Sequence, residues 1–225
     1  MQDHNAPPFN PLPPVVWALA LPMIALEIVL QIGEAGIAGG PDAVGWRMEA
    51  ITKIAFVPDL WREMWQLGTF PVEHLARLVA YPFVHGSLTP AAFAVVILLA
   101  LGKFVGEVLR FWAVLVVFFG ATLAGALAYG FLTTPMPLFG AYPGDYGLVG
   151  AFTYLMWLRL AGSGKEYRAF SMIGLLLGAQ LIFGVIFGGG WDWVGDLAGF
   201  VAGFALTVLV APGGIPRLMD HLRQR

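Results

Sequence analysis

Residues 140–152 read G-A-Y-P-G-D-Y-G-L-V-G-A-F. Gly147 and Gly150 sit in an apolar setting, where missing side chains let one helix lie very close to another. The first half, with Gly140, Pro143 and Gly144, reads as a turn that brings Asp145 to the edge of a membrane. The stretch has the character of a site, yet it contains neither serine nor cysteine.

The surrounding chain is apolar over 59% of its 225 residues and charged over 12%, against roughly 25% charged residues in a soluble domain. A spanning helix needs about 20 mostly apolar residues. Six windows qualify: 14–33, 79–101, 111–132, 146–161, 170–189 and 191–210. Backbone groups in lipid must be satisfied within the segment, and no window alternates as a barrel strand does. The expectation is an all-α membrane protein of one domain over 1–225. A Pro-rich lead-in (1–13), an interfacial first loop (37–76) and a cytoplasmic tail (212–225) complete it.

The basic residues orient the bundle. Lys103 and Arg110, then Arg159, Lys165 and Arg168, then Arg217, Arg223 and Arg225 fall on one side, while loops 133–145 and 189–190 hold no Lys or Arg. The positive-inside rule then favours six spans with both termini cytoplasmic. No Lys or Arg precedes Arg47, so the N-terminus lacks the basic region of a secretory signal and the first span is expected to be retained. The chain has no cysteine, which excludes a thiolate nucleophile, a disulfide and a Cys-ligated metal.

Glu27, Gln31 and Glu34 share one face of the first span. They read either as a polar stripe lining a water-filled cavity or as a helix end rising into the headgroups. In the first loop, Trp46, Ala50, Ile51, Ile54 and Val57 form one helical face with Arg47, Glu49 and Lys53 turned away from it. After Pro58, Leu60, Trp61, Met64 and Trp65 oppose Arg62, Glu63 and Gln66. These segments lie in the membrane interface or pack on one another.

Four further stretches carry a resemblance: A-R-L-V-A-Y-P-F-V-H-G-S-L-T-P-A-A-F-A (76–94), L-G-K-F-V-G-E-V-L-R (101–110), G-L-V-G-A (147–151) and W-D-W-V-G-D-L-A-G-F-V-A-G-F (191–204). In this order they resemble the rhomboid intramembrane serine proteases, with a six-helix rhomboid-like bundle implied. Arg77, Phe83, His85 and Glu107 match that family's motifs. Ala76, Pro90 and Ala94 stand where its Trp, second His and Asn would be, and Pro90 and Ala94 cannot donate from their side chains to an oxyanion. Tyr142 falls on the serine position and Asp196 on that of the catalytic histidine. Gly195, Gly199 and Gly203 leave a groove on the last span for close helix contact.

The resemblance therefore implies a pseudoprotease with no catalytic residues, in which Tyr142 donates a hydrogen bond to Asp196. It implies action by binding a transmembrane client helix or a larger membrane complex in a bacterial inner membrane, with no cofactor, metal or nucleic acid. Two other readings stand beside it: an active protease with an atypical site, and an accessory subunit of an electron-transfer complex. For the latter, His74 and His85 lie on one short approach to the same span, whereas bis-His haem ligation needs facing ligands.

Overall fold

The computed structural model describes residues 11–132, 136–187 and 190–212. Residues 1–10 of the lead-in, residues 133–135 and 188–189 of the short loops, and the tail from 213 lie outside the described residues. Among the described residues the regular elements are helices, and α1 (Pro14–Glu34), α5 (Leu88–Val108), α6 (Phe111–Leu132) and α9 (Asp192–Val210) are long and apolar enough to cross a membrane. Between α1 and α5 lie α2 (Trp46–Ile54), α3 (Pro58–Leu67) and α4 (Val72–Ala80). After α6 come α7 (Tyr142–Leu160) and α8 (Ser171–Phe187).

Two helices depart most from the apolar windows. The window 79–101 divides: α4 ends at Ala80, a 3-10 turn runs Tyr81–Phe83, and α5 begins only at Leu88. Pro82 and the Gly86-Ser87 pair break the run, because proline lacks the donor a continuing helix needs. The window 146–161 grows at its front. Gly140, at a φ of 99°, makes a left-handed turn, and Pro143 sits in the first helical turn, where its missing N–H costs nothing. Tyr142 to Asp145 are thus helix rather than turn, and Asp145 is fully buried.

The core is the contact of α7 with α9, with α6 against both. A Cβ built on Gly203 would collide with the Gly147 backbone, one on Gly199 with the Pro143 carbonyl, and one on Gly150 with the Phe200 carbonyl. A Cβ on Gly125 of α6 would lie 2.9 Å from the Gly195 oxygen. Every residue of α7 from Pro143 to Ala151 is buried. A helix so enclosed by others can be built from small and polar residues, which explains its modest hydropathy.

The first loop is helical and closes one end of the bundle. Trp61 and Met64 of α3 are buried with Phe56, Tyr81, Tyr129 and Leu138, while Trp65 stays exposed. Phe56 and Leu138 exchange backbone hydrogen bonds of 2.9 and 2.8 Å, pinning the approach to α7 against the first loop. Arg77 donates to the carbonyls of Thr52 and Ala55 at 2.8 and 3.0 Å, capping the end of α2.

Gly203→Val is expected to lower the unfolding free energy in detergent by about 1–3 kcal/mol or more, since the backbone it meets cannot yield like a side chain. Gly174→Ala on α8, where an added Cβ meets nothing within 4 Å, should be neutral or stabilising by up to about 1 kcal/mol. Thermal denaturation of both variants checks the contrast.

Candidate functional site

A cavity of about 570 Å³ lies between α5, α7, α8 and α9. Its polar wall comprises His85, Ser87, Tyr142, Tyr146, Gln180, Asp192 and Asp196, and its apolar wall includes Phe93 and Ile97 of α5 and Leu176 of α8. Tyr142 and Asp196 thus share one cavity, as their motif positions imply, but they do not bond to each other. The Tyr142 hydroxyl donates to the Pro90 carbonyl at 3.2 Å. Asp196, 2% exposed, instead accepts from Gln180 Nε2 at 2.7 Å, and Gln180 Oε1 accepts from the Tyr146 hydroxyl at 3.2 Å. The expected Tyr142–Asp196 tether is replaced by a Tyr146–Gln180–Asp196 chain across α7, α8 and α9. Gln180 is the only mid-helix polar residue of α8, which marks it in the sequence, but only the packing supplies its partners.

Pro90 lines the cavity through its place in the first turn of α5, whereas Ala94 is buried in the apolar core one turn further on. Asp145 lies behind the wall, completely buried, with no hydrogen-bond partner for either carboxyl oxygen among the described residues. Glu107 sits apart, lining a second cavity of about 330 Å³ with Arg159, Phe104 and Phe152.

His85 is positioned from two directions. Its Nε2 accepts the Ala141 N–H at 3.3 Å, directly before α7, so the neutral ring carries its proton on Nδ1. Burial pushes the imidazole pKa down to about 4. Its main-chain carbonyl accepts from Arg47 Nη1 at 2.9 Å. Rather than turning away with Glu49 and Lys53, Arg47 is buried, 6% exposed, and reaches into the bundle. It makes a bidentate pair with Glu27 (Nη1–Oε2 2.9 Å, Nη2–Oε1 2.8 Å) and bonds Glu34 through Nε and Nη2. All five guanidinium N–H groups are used, and Glu27 holds the Arg47 pKa above its ordinary value. Gln31 donates to Glu27 at 3.0 Å. An arginine from the first loop thus binds the polar stripe of α1, joining Glu27 and Glu34 to the His85 main chain. Helical periodicity cannot show this, because the partner lies 20 residues from Glu27 and 13 from Glu34.

The profile of the Rhomboid domain matches residues 72–213, more than half of the chain. The chain belongs to the rhomboid family. No curated protein matches it. The rhomboid match begins with α4, so α1 to α3, including Glu27, Glu34 and Arg47, precede it. The protein is thus a rhomboid-family integral membrane protein whose His85 loop, inside the matched segment, is held from outside it.

Removing one partner of a buried ion pair leaves the other charge uncompensated, at a cost of about 3–5 kcal/mol. Arg47→Ala is expected to destabilise the protein by that order, while Lys53→Ala, which removes only the exposed pair with Glu49, leaves stability unchanged. Equilibrium unfolding in mixed micelles measures both.

Proposed function

We propose that this rhomboid-family protein is a pseudoprotease that binds transmembrane helices of client proteins or of a larger membrane complex. The observation that carries the reading is the cavity wall at the positions of the family's dyad. A phenol has a pKa near 10, so a carboxylate is a poor base for it and little phenolate forms. Tyr142 is in any case bonded to the Pro90 carbonyl and Asp196 to Gln180. Neither Pro90 nor Ala94 offers a side-chain donor to an oxyanion.

Client access is supported by the packing of α8. It contributes Leu176 and Gln180 to the cavity facing Phe93 and Ile97 of α5, yet α5 and α8 form no packed interface among the described residues. A helix approaching from the bilayer meets the cavity along that line.

One observation favours the rival, an active protease with an atypical site: Ser87 and His85 both line the cavity. Against it, His85 Nε2 is taken by the Ala141 N–H and His85 Nδ1 bonds nothing, so no serine–histidine contact exists among the described residues. Purification in mild detergent followed by mass spectrometry should return recurrent membrane-protein partners, and a model transmembrane substrate should remain uncleaved. Cleavage that Ser87→Ala or Tyr142→Phe abolishes would overturn the pseudoprotease reading, and repeated recovery of the lone chain would overturn the binding one.

We further infer six spans, α7 and α8 crossing beside α1, α5, α6 and α9, with both termini cytoplasmic. The basic residues Arg159, Lys165 and Arg168 around the α7–α8 connection support this. The chain contains no cysteine, so single introduced thiols report topology directly. Met136→Cys should react with an impermeant maleimide in intact cells and Ser163→Cys only after permeabilisation; the reverse pattern would invert the topology.

A further inference from the structure

We propose that the bond from the Ala141 N–H to His85 Nε2 is an acid-labile latch: protonation of His85 parts its loop from the start of α7 and opens the cavity at that end. The proposal does not depend on the client-binding reading. Two bonds fasten the turn before α7 to the approach to α5. The Gly140 N–H donates to the Tyr81 carbonyl at 3.0 Å, and the Ala141 N–H to His85 Nε2 at 3.3 Å. Only the second has an acceptor that titrates. Gly86 and Ser87 of the loop, and Gly140 and Tyr142 opposite, line the cavity, so parting them widens it.

The closed arrangement has no place for an imidazolium. His85 is 2% exposed, and its Nδ1 has no hydrogen-bond partner among the described residues. A protonated ring carries hydrogen on both nitrogens and accepts nothing. Its Nε2–H would face the Ala141 N–H, donor against donor, and its Nδ1–H would stay unbonded. An opened loop offers water to both, and the neighbouring Gly86 and Ser87 are already exposed. Arg47 holds the His85 carbonyl at 2.9 Å, a bond that protonation of the ring does not touch. The loop therefore stays with α1 and α2 while it leaves α7.

The charges around the ring come from other elements. Glu27 of α1 favours the imidazolium and Arg47 of α2 opposes it, and the two are paired with each other. Glu34 is held by the same arginine. Tyr142 and Asp145 of α7, and Asp192 and Asp196 of α9, start their helices at the same end of the bundle, and none of them bonds His85. Burial outweighs the attraction of Glu27 and pushes the His85 pKa down to about 4, from an ordinary value of about 6.5. The opened loop thus takes up the proton more readily than the closed one. The latch is fully closed above about pH 6.5 and is lost as the pH falls towards about 4.

The test is hydrogen–deuterium exchange of the full chain in lipid nanodiscs at about pH 7.5 and about pH 4.5, read at the Ala141 amide and divided by the intrinsic rate at each pH. Protection at Ala141 is expected to fall on the order of 50–100-fold on acidification, while Val149, within α7, keeps its protection. His85→Gln places a non-titrating oxygen near the position of Nε2 and should hold Ala141 protection equal at both pH values. Unchanged protection in the native chain overturns the latch, as does the same fall in His85→Gln. A matching loss at Val149 overturns it in favour of general acid unfolding. If His85→Gln does not fold, a chain carrying His4→Gln, His74→Gln and His221→Gln leaves His85 as its sole imidazole. NMR of the isotope-labelled ring should then place its titration at least about one pH unit below the ordinary value. A ring that protonates near that value with Ala141 still protected overturns the latch.

Discussion

The closest constraint in the molecule is the backbone-to-backbone approach of α7 and α9. Gly147 and Gly150 on one helix, and Gly199 and Gly203 on the other, leave no space for a Cβ. In a bilayer, where apolar surface gains little by leaving lipid, such close van der Waals contact is what joins helices. The contact also sets the site. Tyr142 and Tyr146 project from the start of α7, Asp192 and Asp196 from the start of α9, and the shared glycine seam brings both pairs to one cavity.

A second device holds the opposite wall. Arg47 joins α1, through Glu27 and Glu34, to the main chain of His85. Burying two charges is rarely favourable by itself, because desolvation offsets much of the Coulombic attraction. What this arrangement does secure is geometry: five donors are spent on named acceptors, and the His85 loop meets Ala141 at the foot of α7. The segment before the rhomboid match therefore shapes the cavity without lining it. By contrast α8 is held loosely, its Gly174 and Gly178 facing open space and Gln180 providing its polar link to α7 and α9.

Much of the fold was legible in the chain because lipid imposes a strong rule on length and polarity, and because the glycines at 147, 150, 199 and 203 declare a close contact before its partner is known. Boundaries were less legible. Pro82 split one apolar window, while Pro143 began a helix where a turn was expected, since the same residue breaks a helix interior and suits its first turn. The candidate site was legible as a set of positions, Tyr142, Pro90, His85 and Asp196, but not as a network. Helical spacing turns Arg47 away from the apolar face of α2, because periodicity describes one helix at a time.

Apolar run length determined an all-helical membrane protein, and the order of motif fragments pointed to the rhomboid family; both follow from local composition and spacing. Only the tertiary structure decided that Tyr142 bonds Pro90 rather than Asp196, that Gln180 bridges Tyr146 and Asp196, and that Arg47 closes the polar stripe of α1. Each of these depends on which side chains meet across helices far apart in the chain, and hydrogen-bond partners over such separations are set by packing distances of a few tenths of an ångström.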